Sequence, residues 1–139
     1  MHPDAASTTT SATPPSVREG LWIAGRPQRA HEQRTFGVED PATGVEIARI
    51  SDGTVDDARR AVDAAASVAR DWACLAPRHR ADILHRAFEL MRDDTERLTA
   101  LIVAENGKSL SDARNEVAYA AEFFRWFSEE SVRTEGDYG

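Results

Sequence analysis

The side chains with the most chemistry in them are one cysteine, four histidines, one lysine and several adjacent carboxylates. Cys74 follows Trp72-Ala73 in an alanine-rich stretch, and its nearest basic residues in sequence are Arg70 and Arg78. A thiol becomes a nucleophile when a base or cation lowers its pKa. Two arginines near in sequence alone do not supply that, so the expected role is structural. His2, His31, His79 and His85 are scattered. His79 and His85 stand six apart, on different faces of a helix, whereas two metal ligands on one helix want a spacing of four. The carboxylate pairs Asp56/Asp57 and Asp93/Asp94 fall where helices begin and complement the helix dipole there. Glu129/Glu130 read as a solvated face. Gly107-Lys108-Ser109 looks like the end of a phosphate loop, but the upstream glycine is missing and a helix, not a strand, precedes it. Arg59/Arg60 and Arg78/Arg80 sit beside acids, as on a salt-laced helix surface. No catalytic constellation emerges.

Composition narrows the classes. The formal charge is −7 and the pI about 5.1, which argues against a duplex nucleic acid partner, since phosphate binding needs clustered positive charge. One cysteine allows no disulfide within the chain, as fits a reducing compartment. No apolar run approaches a bilayer span and no secretory signal is visible, so a cytoplasmic protein without membrane contact is expected. Leu, Ile, Val and Phe together number 26 of 139 residues, near the floor for a self-sufficient core, and 23 alanines favour helix while burying little area.

The elements that would position these residues follow from the periodicities. Residues 1–17 are rich in Ser, Thr, Ala and Pro and offer no apolar face; they read as a disordered tail, with residues 18–139 forming the folded part. Leu21-Trp22-Ile23 begins a strand, which Gly25 and Pro27 then break. Arg34 to Val38 and Val45 to Ile50 make two further strands around the turn Asp40-Pro41-Ala42-Thr43-Gly44, so residues 21–50 are expected to form one small antiparallel sheet. After Gly53 the apolar period changes to 3.6. Helices are expected over about 54–70, 77–92, 94–106 and 110–132. Thr54 and Asp57 form the first helix's capping pattern, Pro77 stands in the first turn of the second, Gly107 ends the third, and Ser109 or Ser111 caps the fourth. The first stripe is Val55, Ala58, Val62, Ala65, Ala66 and Ala69; the second is Ala81, Leu84, Ala87, Phe88 and Met91; the third carries Leu98, Leu101 and Ile102. The fourth helix buries Ala113, Val117, Ala120, Phe124 and Phe127, with Tyr119, Phe123 and Trp126 on the adjacent face. That apolar arc is wider than a surface helix needs. The class is α+β: short antiparallel strands, then four helices.

Six motifs recur here in a fixed order: Leu21-Trp22-Ile23-Ala24-Gly25; Asp40-Pro41-Ala42-Thr43-Gly44; Trp72; Pro77-Arg78-His79-Arg80-Ala81-Asp82-Ile83-Leu84; Glu105-Asn106-Gly107-Lys108-Ser109-Leu110; and Glu116 to Ala121 with Phe123, Trp126, Phe127, Glu129 and Glu130. Gly136-Asp137 follows them. In this order they resemble the N-terminal segment of the aldehyde dehydrogenase superfamily, and are most similar to its succinate-semialdehyde dehydrogenase group. Asn106, Ser109 and Tyr138-Gly139 depart from the group's commoner Gln, Pro and Thr-Ile.

The resemblance implies the N-terminal part of the α/β aldehyde dehydrogenase fold, from a full-length parent that oxidises succinate semialdehyde to succinate with NAD or NADP. It also implies that the nucleophilic cysteine, the general-base glutamate, the oxyanion-stabilising asparagine and the cofactor-binding βαβ units all lie beyond this chain. Cys74, Asn106 and Asn115 stand outside those motifs, so the resemblance assigns no catalytic and no cofactor-binding residue here, and the isolated chain is expected to be inactive and poorly stable. Its partners would be the remainder of the enzyme and further copies in a homo-oligomer. Tyr119, Asn115 and Phe123 would line the substrate tunnel. Glu105, with the carbonyls of Val38 and Glu39, would hold a monovalent cation. The rival reading is a free-standing helical module gripping a partner with Phe123, Trp126 and Phe127.

Overall fold

The structure, a computed structural model, describes residues 20–133. The tail expected over 1–17 and the Gly136-Asp137 motif lie outside the described residues. The element order is β1 (Leu21–Ile23), β2 (Arg26–Gln28), β3 (Thr35–Glu39), β4 (Glu46–Ser51), α1 (Val55–Cys74), α2 (Pro77–Asp93), α3 (Thr95–Asn106) and α4 (Leu110–Glu130). The α+β order of short antiparallel strands followed by four helices is the observed one.

The strands form two separate two-stranded sheets rather than one. Where Gly25 and Pro27 were expected to break the chain, they build a hairpin. Ala24 (φ 53°) and Gly25 (φ 74°) are consecutive left-handed residues, the two-residue turn whose twist matches the flanking strands. Ile23 then pairs with Arg26, which makes Trp22 opposite Pro27 the next, non-hydrogen-bonded pair. Proline's missing N–H therefore costs the ladder nothing. β3 and β4 pair through the Asp40–Gly44 turn. Asp40 organises that turn: its Oδ1 accepts from the Ala42 amide (2.8 Å), its Oδ2 from the Thr43 hydroxyl (2.9 Å), and its carbonyl from the Gly44 amide (2.7 Å). Gly44 takes the positive φ of 71° that closes the turn.

α1 starts on a complete capping box between Thr54 and Asp57. It runs to Cys74, past the expected end near residue 70, because no glycine or proline interrupts it before Pro77. Arg80 then donates to the carbonyls of Ala73 and Leu75, both at 3.0 Å, satisfying orphan acceptors at that end. The expected valine–alanine stripe of α1 is not a core face among the described residues: Val55, Ala58, Val62, Ala65, Ala66 and Ala69 are all exposed, and the buried residue of this helix is Asp57.

Asp57 accepts from the amides of His31 and Thr54, the Thr54 hydroxyl and the Arg60 guanidinium. The Thr54 amide and then Arg60 hold its carboxyl well below the usual carboxylate range. Those donors converge only in the folded chain. Their stabilisation is therefore complete above the unfolded aspartate value of about 3.9 and fades as pH falls through the lower folded-state value. Urea unfolding at pH 3 and pH 6 should show the chain weaker at pH 3, and Asp57→Asn should reduce the difference, leaving the share of Asp94 and Glu96, whose carboxyls Arg97 and Arg114 also hold below their ordinary values.

α2, α3 and α4 form the main packed unit, with α4 against both others. The α2 stripe is as expected: Ala81 and Phe88 are buried and Leu84, Ala87 and Met91 half-buried. α3 ends where Gly107 turns left-handed (φ 73°) and its amide returns to the Val103 carbonyl at 2.9 Å. On α4 the buried line is Ala113, Val117, Ala121 and Ser128, not the expected line through Ala120, Phe124 and Phe127. The reason is spacing. An i, i+4 row of small side chains lets two helices approach closely, which the bulky rings would prevent. Thr99 of α3 is fully enclosed and its hydroxyl finds no hydrogen-bond partner. Thr99→Val removes that unpaired group at nearly constant shape, and should raise unfolding stability by about 1 kcal/mol in urea titration.

Candidate functional site

The outer face of α4 carries a cluster of exposed aromatic side chains. Ser109 caps this helix by accepting from the Asp112 amide at 3.1 Å. Its alanine row faces α2 and α3, so its rings turn outward. Tyr119 and Trp126 are 68% and 56% exposed, and Phe123, Phe124 and Phe127 are exposed beside them. Tyr119, Glu122, Phe123, Arg125, Trp126 and Phe127 line a shallow concavity of about 340 Å³. The Tyr119 and Phe123 rings meet edge to face with centroids 4.9 Å apart, an arrangement that fixes both ring planes.

The rim is polar. Arg125 donates from Nε to Glu122 (2.6 Å) and from Nη1 to Glu129 (2.8 Å). Glu122 first and Glu129 second push the guanidinium above its ordinary value. These pairs are exposed and add little stability, but they pin Arg125 along the rim. An apolar floor with a clamped ionic edge can desolvate a small organic molecule; it offers no nucleophile and no base poised against one.

Tyr119 and Phe123 of the expected tunnel set thus share the concavity, while Asn115 is exposed one turn earlier and outside it. Glu122, Arg125, Trp126 and Phe127 were absent from that set. The spacing 119, 122, 123, 126, one face of one helix, would have found Glu122 and Trp126; Arg125 and Phe127 lie off that line at its edge. Of the expected cation ligands, Val38 and Glu39 flank a register shift in β3 and Glu105 is exposed near the end of α3. Pro41, two residues beyond Glu39, packs against Gly107: a Cβ there would stand 3.0 Å from the Pro41 Cγ. The Asp40–Gly44 turn and the end of α3 are therefore neighbours. Lys108 is ion-paired with Glu116 of α4.

Elsewhere the chemistry is sparse. Cys74 is a free cysteine, exposed at the end of α1. Among the described residues, no three His, Cys, Asp or Glu side chains cluster as metal ligands. His85 approaches Glu89 only at 4.0 Å.

The family model for the aldehyde dehydrogenase family matches residues 28–138. The chain belongs to the aldehyde dehydrogenase family. Among its relatives is the succinate-semialdehyde dehydrogenase of Paenarthrobacter nicotinovorans, 49% identical over 92 residues that make up 66% of this chain and 20% of that protein. The 3-sulfolactaldehyde dehydrogenase of Pseudomonas putida is 39% identical over 119 residues, 86% of this chain and 24% of that protein. The crystal structure of succinate-semialdehyde dehydrogenase from Burkholderia pseudomallei superposes with a TM-score of 0.83 at 37% identity, covering 86% of this chain and 25% of that one. This aldehyde dehydrogenase chain therefore spans a fifth to a quarter of the length of the relatives it matches. Its strand pairs and four helices are a part of the aldehyde dehydrogenase fold.

Proposed function

We propose that this chain is the N-terminal scaffold of an NAD(P)-dependent aldehyde dehydrogenase that oxidises succinate semialdehyde, or a similarly short aldehyde with an anionic tail, to the acid. The observation that carries this is the aromatic concavity of α4. It lies open on a chain whose relatives are several times longer and include enzymes named for succinate semialdehyde and 3-sulfolactaldehyde. In this reading the Tyr119 and Phe123 rings border the path of the aldehyde, with Asn115 nearer its mouth, and exclude water from it. The clamped Arg125 limits how far the acidic rim repels an anionic tail.

The described residues do not fit a dinucleotide. Their strand pairs are all antiparallel, and the β4-to-α1 turn, Asp52-Gly53-Thr54, opens onto Asp56 and Asp57, which repel phosphate. The cofactor is assigned to the remainder of the enzyme, and no step is derived through it. A monovalent cation enters the proposal on donor chemistry: Glu105 is an exposed carboxylate near the end of α3, Val38 and Glu39 offer carbonyls at a register shift in β3, and hard cations take oxygen donors. Potassium chloride should then raise the melting temperature more than an equal concentration of tetramethylammonium chloride, and Glu105→Gln should remove the difference. No helix among the described residues is long and apolar enough to cross a membrane; that the parent enzyme is a cytoplasmic homo-oligomer is part of the proposal and rests on the family alone.

The test is a graft. Residues 20–133 should replace the matching segment of the Paenarthrobacter nicotinovorans enzyme and leave succinate-semialdehyde-dependent NAD(P)H formation intact. A folded but inactive graft would overturn the proposal. The free-standing binding module predicts that inactive outcome.

A further inference from the structure

Asp57 is the ionisable side chain that the described residues bury, at 2% exposure. A helix cap alone does not account for its partners. Its Oδ2 accepts from the Thr54 amide and hydroxyl, both at 2.9 Å, which is the cap. The same carboxylate accepts from the His31 amide, at 3.2 Å through Oδ1 and 3.1 Å through Oδ2, from a loop 26 residues earlier. Oδ1 also accepts from Arg60. Arg60 in turn donates to the Gln28 Oε1 at 3.3 Å, and the Gln28 Nε2 donates to the Ile23 carbonyl at 3.0 Å. One carboxylate thus reaches both strands of the β1–β2 hairpin and the loop after it. Ile23 and Ala30, on either side of these bonds, are buried and Leu21 and Gln28 half-buried, whereas the other residues from 20 to 33 are exposed.

The same region is weakly joined to the rest. α1 touches β1, and its residues from Ala65 to Cys74 are all exposed; the α2, α3 and α4 cluster packs among itself. We propose that Asp57 is a latch: it holds the β1–β2 hairpin and the following loop on the first turn of α1, and these parts open as one unit independently of the α2–α3–α4 cluster. Regions with few apolar contacts open locally below the global unfolding free energy; here the shared carboxylate of Asp57 sets where the opening unit ends. Asp57→Asn breaks it in a specific way. The new amide group brings a donor against the donors of His31, Thr54 and Arg60, leaving buried N–H groups unpaired.

Amide hydrogen exchange on the full chain, resolved by residue, tests the latch. Asp57→Asn should speed exchange at His31 and across residues 21–28 at least tenfold, while Phe88, Val117 and Ala121 keep their rates. Arg60→Ala, which removes only the arm to Gln28, should give a smaller acceleration confined to the hairpin. Thr54→Ala, which removes the cap hydroxyl, should loosen the first turn of α1 and leave His31 protected. Acceleration of equal size at every amide, as in global unfolding, or none at His31 in Asp57→Asn, would overturn the proposal.

Discussion

Purified alone, the 139-residue chain should form no NAD(P)H above the uncatalysed rate from succinate semialdehyde with either dinucleotide. The chemistry needs a thiolate to attack the aldehyde, donors to hold the oxyanion, a hydride acceptor and a base to release the acid. Among the described residues the one thiol, Cys74, is not among those that line the open concavity on α4, which holds rings and a clamped arginine in place of a nucleophile. A full constellation of this kind accelerates reactions by about 10⁶-fold or more, so its absence removes the whole signal. In the active graft, by contrast, Phe123→Ala should raise KM more than it lowers kcat, since a ring on the approach path binds ground and transition states alike. Semialdehyde-dependent NAD(P)H from the isolated chain, surviving Cys74→Ala, would place a catalytic group where none is expected.

Phe88→Ala should abolish cooperative folding. Phe88 is the largest apolar side chain that the described residues bury, at 9% exposure. Arg92 stacks over its ring at 5.7 Å and the His85 ring lies tilted at 5.7 Å from it. Cutting such a ring to alanine costs about 3–5 kcal/mol in transfer and cavity terms. Its buried apolar companions are Ile23, Val117 and four alanines, Ala30, Ala81, Ala113 and Ala121, so little burial remains to absorb the loss. Calorimetry of the wild-type chain should show a broad, small transition, and of Phe88→Ala none. A wild-type transition with the heat-capacity change of a complete 139-residue domain, about 12–15 cal/mol/K per residue, would contradict both expectations.

What the amino acids disclosed, and what they hid, divides by range. Features set by neighbours a few residues apart were readable: the Thr54–Asp57 box, the Gly107 stop, Pro77 in a first turn and the α2 stripe each follow from local sterics or from one period. The Ala24–Gly25 hairpin was hidden because alanine carries no signal for a left-handed φ and Pro27 reads as a breaker; only pairing with Trp22 makes it harmless. The α1 stripe shows the amphipathic period of a packed helix, yet among the described residues nothing covers it. On α4 the choice between Ala120 and Ala121 turns on how closely α2 and α3 approach, which no periodicity encodes. The concavity was half-legible for the same reason. Tyr119 and Phe123 came from the family motif, whereas Arg125 entered only through its clasp by Glu122 and Glu129.

The row Ala113, Val117, Ala121 forms the back of the same rod whose front carries the rings. That makes the helix a lever with a fixed fulcrum. One added methylene behind it, as in Ala121→Val, would tilt the whole aromatic wall without altering any residue that a ligand would meet. On the proposed reading that this wall borders the path of the aldehyde, Ala121→Val in the graft should change which aldehyde is preferred, an effect that a survey of wall residues alone would pass over.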